Sequence, residues 1–405
     1  MRKNKGITLI ALIITIIILL ILVGVSVNLL IKGDLFGSAQ KAVSGTNAKV
    51  EEQQTAVDEL VGELDEVEKE IEEQEKQMNI PGTRVSENTK YIRDGKTAWI
   101  PKGFTVSGIK SEQSINKGLV IYDIPEGTTV DWSNPDSVKT KYNQFVWIPV
   151  EVKSTDTENS IASFYRSVWT ENTATGGERT TGLSTDYTEP DSTNDTADKT
   201  GIAGQITELT KSIYKYGGFY IGRYEAGSKT ERTSSSSQTA EFVVQQDKYP
   251  YNYVKWGKSM SDVSEGVVYL CNNLYSSTNT NYGATSMLCT GASWDSMLDF
   301  IKDSSHNVTD STTWGNYSNS ETYTINRGKY AVYNTSNYTL GNFQDVGNEY
   351  SKEKSTSILL TTGATERNSS KNIYDVAGNC WEWTTESSSS DFRVYRGRQL
   401  HQLWF

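Results

Sequence analysis

Cys271, Cys289 and Cys380 are the three thiols of this 405-residue chain, and His306 and His401 are its two imidazoles. Paired thiolates bind soft metals or exchange electrons, and two Cys-x-x-Cys pairs hold zinc, but no such pair occurs here. Three cysteines do not make a disulfide framework, and two histidines leave little room for imidazole-ligated metal. There is no Walker A or Gly-x-Gly-x-x-Gly stretch to cradle phosphate, and no EF-hand spacing among the abundant Asp and Asn. Each cysteine therefore reads as a small buried thiol, and no catalytic, cofactor-binding or metal-ligating residue is assigned.

The densest cluster of chemically expressive side chains is Gly378-Asn379-Cys380-Trp381-Glu382-Trp383. Gly378 suits a turn with positive φ, and Asn379 can hydrogen-bond nearby backbone in that turn. Alternation along a strand would put Trp381 and Trp383 on one face and Glu382 on the other. Two indoles on one face predict a core anchor rather than a ligand-stacking platform.

The elements that must position this cluster follow from composition. The net charge is −11 and 36% of residues are apolar. Between positions 48 and 78 there are 12 Asp or Glu against 3 Lys, a net of −9, so the acidity is local and the remainder is near neutral. Without clustered Lys and Arg, a nucleic-acid partner is not expected. Residues 81–405 hold all 10 Trp and 23 Tyr, with short apolar runs at 97–101, 118–124, 145–150 and 219–224 that predict strands. Helices are expected at 258–274 and 293–302. Residues 151–200 contain 18 Ser or Thr and predict an exposed insertion. The serine runs 234–237 and 387–390 read as loop tips.

Upstream, positions 6–31 carry no charge, and 26 helical residues reach about 39 Å, enough for a hydrocarbon core of about 30 Å. Arg2, Lys3 and Lys5 precede them, which places the N-terminus in the cytoplasm and the bulk of the chain outside. From Val50, a heptad runs through Val57, Leu64, Ile71 and Met78, with Gln53, Leu60, Val67 and Gln74 at the second position. Asn79-Ile80-Pro81-Gly82 ends it. The expected organisation is a basic leader (1–6), a transmembrane helix (7–31), an acidic helical stalk (32–80) able to self-associate through the 50–78 coiled coil, a β-rich extension (81–144), and a large mixed domain (145–405) with a Ser/Thr-rich insertion near 153–200.

Two resemblances add to this. Lys5-Gly6-Ile7-Thr8-Leu9-Ile10 resembles the start of type IV pilins and pseudopilins, bacterial proteins that are cleaved after the glycine, which implies processing between Gly6 and Ile7. The family's glutamate, five residues past the cut, is Ala11 here, so assembly into a filament does not follow.

The second resemblance is to the formylglycine-generating, sulfatase-modifying-factor family. It rests on Phe145-Val146-Trp147-Ile148-Pro149, Phe219-Tyr220-Ile221-Gly222-Arg223-Tyr224-Glu225, Thr290-Gly291-Ala292-Ser293-Trp294-Asp295, and the run from Asn372 through Trp383 to Arg396-Gly397. It implies an α+β, C-type-lectin-like fold with much irregular backbone, able to hold structural calcium whose ligands cannot be assigned here. Catalytic members use a cysteine pair lying beyond the Arg-Gly turn, and the three thiols here do not match it. Non-catalytic members, such as the variable proteins of diversity-generating retroelements, bind ligands with this fold. The pattern is lost after Gly397, which predicts a C-terminal truncation; a one-base shift in that codon would account for it.

The expectation is a membrane-anchored extracellular protein that binds a protein or glycan through a non-catalytic domain. A formylglycine-generating-type oxidase and a pilin-like filament component are the alternatives.

Overall fold

The computed structural model describes residues 79–181, 188–190, 200–233, 241–259, 261–334, 336–337, 339–389 and 392–397, together with positions 55, 58, 61, 62 and 77. The expected leader, the 7–31 membrane segment, the Gly6–Ile7 junction and the heptad positions from Val50 to Met78 lie outside them. Among the described residues, no helix is long and apolar enough to cross a membrane. The chain divides into two compact units, Met1–Gln74 and Glu75–Phe405.

The second unit is mixed α and β. It opens with a hairpin, β1 (Thr89–Arg93) and β2 (Lys96–Ile100). Its central antiparallel sheet has the order β3 (Thr105–Val106), β4 (Val120–Tyr122), β5 (Gln144–Pro149), β8 (Gly218–Gly222). This sheet joins strands from both sides of the expected boundary at 144–145. Each of the four apolar runs predicted as strands overlaps one.

Period-two alternation explains why the sheet is buried on both faces. Val120, Tyr122, Val146 and Ile148 pack into one core with Trp294, Met297 and Ile301. Ile121 and Trp147 point into a second core with Ile100, Phe104, Val106, Leu119 and Tyr275. The register places Trp147 opposite Tyr220, and their rings meet edge-on at 5.1 Å.

Four helices matter for the layout: α1 (Pro135–Lys139), α2 (Ile202–Tyr216), α3 (Gly266–Leu274) and α4 (Gly291–Ile301). α4 falls where expected. Its N-terminus is capped by Thr290, whose hydroxyl accepts from the Ser293 amide at 3.0 Å. α3 is shorter than the predicted 258–274. Gly266 sits at φ +82°, where a Cβ would come within 2.6 Å of the Lys255 carbonyl, so the helix starts at this left-handed residue.

α2 was not anticipated, although Ile202, Ile206, Leu209 and Ile213 trace one helical face. It ends at Gly217, φ +75°, whose amide donates to the Ile213 carbonyl at 2.7 Å.

The Ser/Thr-rich insertion also carries structure. β6 (Ser167–Thr170) and β7 (Glu178–Thr181) form a hairpin tied to α4. Asp295, fully buried, accepts from Arg166 Nε at 3.0 Å and from the Ser167 amide at 2.8 Å. Residues 182–187 and 191–199 of the insertion lie outside the described set.

The remaining strands that matter for the site are β9 (Lys329–Asn334), β10 (Ile358–Leu360), β11 (Glu382–Ser389) and β12 (Phe392–Arg396), pairing β9 with β10 and β11 with β12. Of the two serine runs expected as loop tips, 234–237 lies outside the described residues, and Ser387 to Ser389 of the other extend β11, where they pair with β12 and Ser387 also exchanges backbone hydrogen bonds with Thr188.

Candidate functional site

Asn379 through Trp383 form part of the lining of a cavity of about 1950 Å³, with Gly378 at the turn that leads into them. Gly378 adopts φ +83°, and a Cβ there would lie 2.3 Å from the Asn316 carbonyl oxygen, so glycine is required by both conformation and space. Asn379 follows at φ +66° and is 1% exposed. Its side chain does more than brace its own turn. Oδ1 accepts from the Leu360 amide at 2.8 Å and from Asn316 Nδ2 at 3.1 Å. Nδ2 donates to the Leu360 carbonyl at 3.1 Å and to Glu225 Oε1. Asn379 thus ties the turn to β10 and to the acid that follows β8.

The two indoles are partly buried, Trp383 against a small apolar core and both at the cavity wall. Trp381 precedes β11 rather than lying in it, and stacks on Tyr395 of β12 at 4.3 Å. Trp383 meets the same ring edge-on at 5.4 Å, and its Nε1 donates to the Val254 carbonyl at 3.1 Å. Both indoles line the cavity, as does Trp256, whose Nε1 donates to the Thr384 carbonyl at 2.9 Å. Trp383 also packs on the small apolar cluster of Ile202, Trp256, Val267, Val268 and Leu288.

Three acidic side chains lie near enough to repel one another around this stretch. Glu225 ends the Phe219–Glu225 stretch, Asp375 belongs to the turn before Gly378, and Glu382 opens β11. Glu225 is 5% exposed and Asp375 1%. Burial, reinforced by Asp375 and Glu382, holds the Glu225 carboxyl well above the ordinary range. Burial also raises Asp375, against a hydrogen bond from the Gly363 amide at 2.7 Å. Burial and then Asp375 push Glu382 up to about 8. Among the described residues, no Lys or Arg forms an ion pair with any of the three. Oε2 of Glu225 and Oε2 of Glu382 are buried without a hydrogen-bond partner.

The cysteines also line this cavity and are partly buried. Burial pushes the Cys271 thiol up to about 12. Burial and neighbouring carboxyls, Glu382 first for Cys289 and Glu225 first for Cys380, raise the other two well above the ordinary thiol value. Thiols so placed keep their protons at neutral pH and are poor nucleophiles and poor metal ligands. His306 pairs with Asp303 at 2.9 Å in the loop after α4, and His401 lies outside the described residues. Among the described residues, no set of three or more His, Cys, Asp or Glu side chains is placed to hold a metal ion.

Two further ionic clusters hold the frame. At the start of α4, Glu189 accepts from the Gly291 amide and from Thr385 Oγ1 at 2.5 Å, and burial raises its carboxyl to about 7. Beside it, Glu386 is shared by Arg166 and by Arg396, the latter at 2.7 Å. In the central sheet, Arg223 is 1% exposed and bonds Glu112 at 2.9 Å, while Lys139 reaches the same carboxylate at 3.1 Å. These ion pairs are made within the chain, Arg223 Nε alone of that guanidinium being left without a hydrogen bond, and they read as scaffold.

Sequence reasoning named Gly378, Asn379, Trp381, Glu382 and Trp383, and the structure brings all five together. It did not single out Glu225, Asp375, Trp256 or Tyr395. The available signal was an acid closing each of two apolar runs, at Glu225 and Asp375. Comparison with family models, with curated proteins and with solved structures finds no match to this chain.

Proposed function

We propose that this chain is a membrane-anchored extracellular display protein whose outer domain binds a ligand without catalysing a reaction. In this reading the outer domain is of the C-type-lectin-like, sulfatase-modifying-factor type, the 7–31 segment is the anchor, and the 50–78 heptads can pair copies of the stalk. The observation that carries the reading is the cavity at the Gly-Asn-Cys-Trp-Glu-Trp stretch. It is aromatic-walled, exceeds the roughly 300–1,000 Å³ of ordinary small-molecule sites, and contains thiols that burial keeps protonated. Such a site offers stacking surface and polar anchors but no poised nucleophile.

The test uses the full chain in detergent micelles. A glycan and protein binding screen is expected to return a saturable ligand that a cavity variant, Trp383→Ala, loses. Copper loading followed by oxidation of a cysteine-containing peptide would overturn the reading in favour of an oxidase. Fractionation of expressing cells, with protease added from outside, is expected to find the chain in the membrane and its outer domain accessible.

A further inference from the structure

We propose that the cavity beside Trp381 and Trp383 receives an organic cation, a guanidinium or primary ammonium at the end of a larger ligand, with Glu225 and Glu382 as the acids that ionise against it, their protons passing to solvent. This deepens the reading of the chain as a binding protein and rests on it.

The first observation is the pair of unanswered oxygens. Glu225 is 95% buried, and Asn379 satisfies only its Oε1, leaving Oε2 without a partner; Glu382 Oε2 is likewise buried and unpaired. Both residues line the cavity. A buried acceptor with no donor costs about 1–3 kcal/mol, more when charged, so it is retained where something supplies the donor. Elsewhere in this unit buried carboxyls are answered from within the chain: Glu112 by Arg223 and Lys139, Asp295 by Arg166, Glu386 by Arg166 and Arg396.

The second observation concerns the kind of donor. A guanidinium carries five N–H donors on a planar fork several ångströms wide and can bridge carboxylates that a point cation cannot. The approach is aromatic: Trp381, Trp383 and Trp256 line the cavity, and indole faces attract cations. The chain already uses such a contact there, with the Arg393 guanidinium carbon 4.1 Å from the Trp256 ring centre. Lys255 and Lys258, also lining the cavity, are exposed, and Lys258 pairs with Asp262 at 3.8 Å. The volume far exceeds a lone amine, which favours a cation carried on a peptide over a free one.

The experiment titrates the full chain in detergent micelles with a blocked arginine tripeptide, its neutral citrulline counterpart and agmatine, following tryptophan fluorescence. The arginine peptide is expected to bind saturably and the citrulline peptide at least tenfold more weakly. Glu225→Gln and Glu382→Gln should each weaken the arginine peptide tenfold or more. Glu126→Gln, at an exposed acid outside the cavity, should leave it unchanged. Both active-pocket variants should keep or raise the thermal midpoint, because each removes a buried carboxyl, so lost binding cannot be read as lost folding. Agmatine binding as tightly as the peptide assigns the cation to a free small molecule instead. Equal binding of the arginine and citrulline peptides, undiminished binding in both Gln variants, or no cation binding at all would overturn the inference. A glycan or protein ligand found by the same preparation would still leave the display reading standing.

Discussion

Trp381 lies nearly flat on Tyr395, ring centres 4.3 Å apart and planes 24° apart, so the turn before β11 is clasped to the strand after it. Trp383 closes on the same ring from its edge. Tyr395 is 42% exposed, so its contribution comes from these two rings more than from deep burial. Tyr395→Ala should destabilise the outer unit by about 1–3 kcal/mol and red-shift the tryptophan emission as both indoles gain water. Urea unfolding followed by fluorescence checks this; an unchanged emission maximum would mean that the rings are held by other contacts.

Asn379 is the most connected polar side chain of the site. Asn379→Ala leaves the Leu360 amide and carbonyl and the Glu225 carboxyl each without a partner. With about 1–3 kcal/mol for each orphaned buried group, the loss should reach about 3 kcal/mol or more. A chemical-denaturation loss below about 1 kcal/mol would show that water or rearranged backbone replaces the amide.

Two glycines separate conformation from crowding. Gly378 and Gly347 both have positive φ, at +83° and +66°, but a Cβ at Gly378 would strike the Asn316 backbone at 2.3 Å while one at Gly347 meets nothing within 4 Å. Gly347→Ala should cost about 1–2 kcal/mol, the left-handed penalty alone. Gly378→Ala should cost clearly more and reduce ligand binding. Equal melting midpoints for the two variants would contradict this.

Stability should fall as pH rises from about 5 to 8. Glu225, Asp375, Glu382 and Glu189 all have carboxyls raised in the folded state, with Glu382 near 8 and Glu189 near 7. In the unfolded chain they ionise near 4 to 4.5. Between those limits the folded state binds more protons, so the unfolding free energy has a negative slope with pH. Glu112 acts the other way. Burial alone would raise it, but Arg223 and Lys139 bring it below the ordinary value, so its contribution is lost only at lower pH. Thermal midpoints measured from pH 4 to 9 should therefore peak on the acid side of neutrality, and Glu382→Gln should flatten the fall above pH 6. A flat profile between pH 5 and 8 would sink this account.

The sequence by itself determined the alternating strands, the α4 helix and the neighbourhood of Gly378 through Trp383, because period-two and period-3.6 burial and positive-φ glycines are local properties. Charge arithmetic likewise located the acidity in the 48–78 stretch. What only the tertiary structure decided is where the chain's ends of strands meet. Glu225 and Asn379 are 154 residues apart in sequence, and Trp256 and Thr384 are 128 apart. No local pattern states that an acid after β8 faces a turn before β11, nor that the two indoles line a cavity while one of them also packs on an apolar cluster. Those outcomes depend on how the central sheet, α4 and the β11–β12 pair pack together, and packing sums contacts over the whole unit.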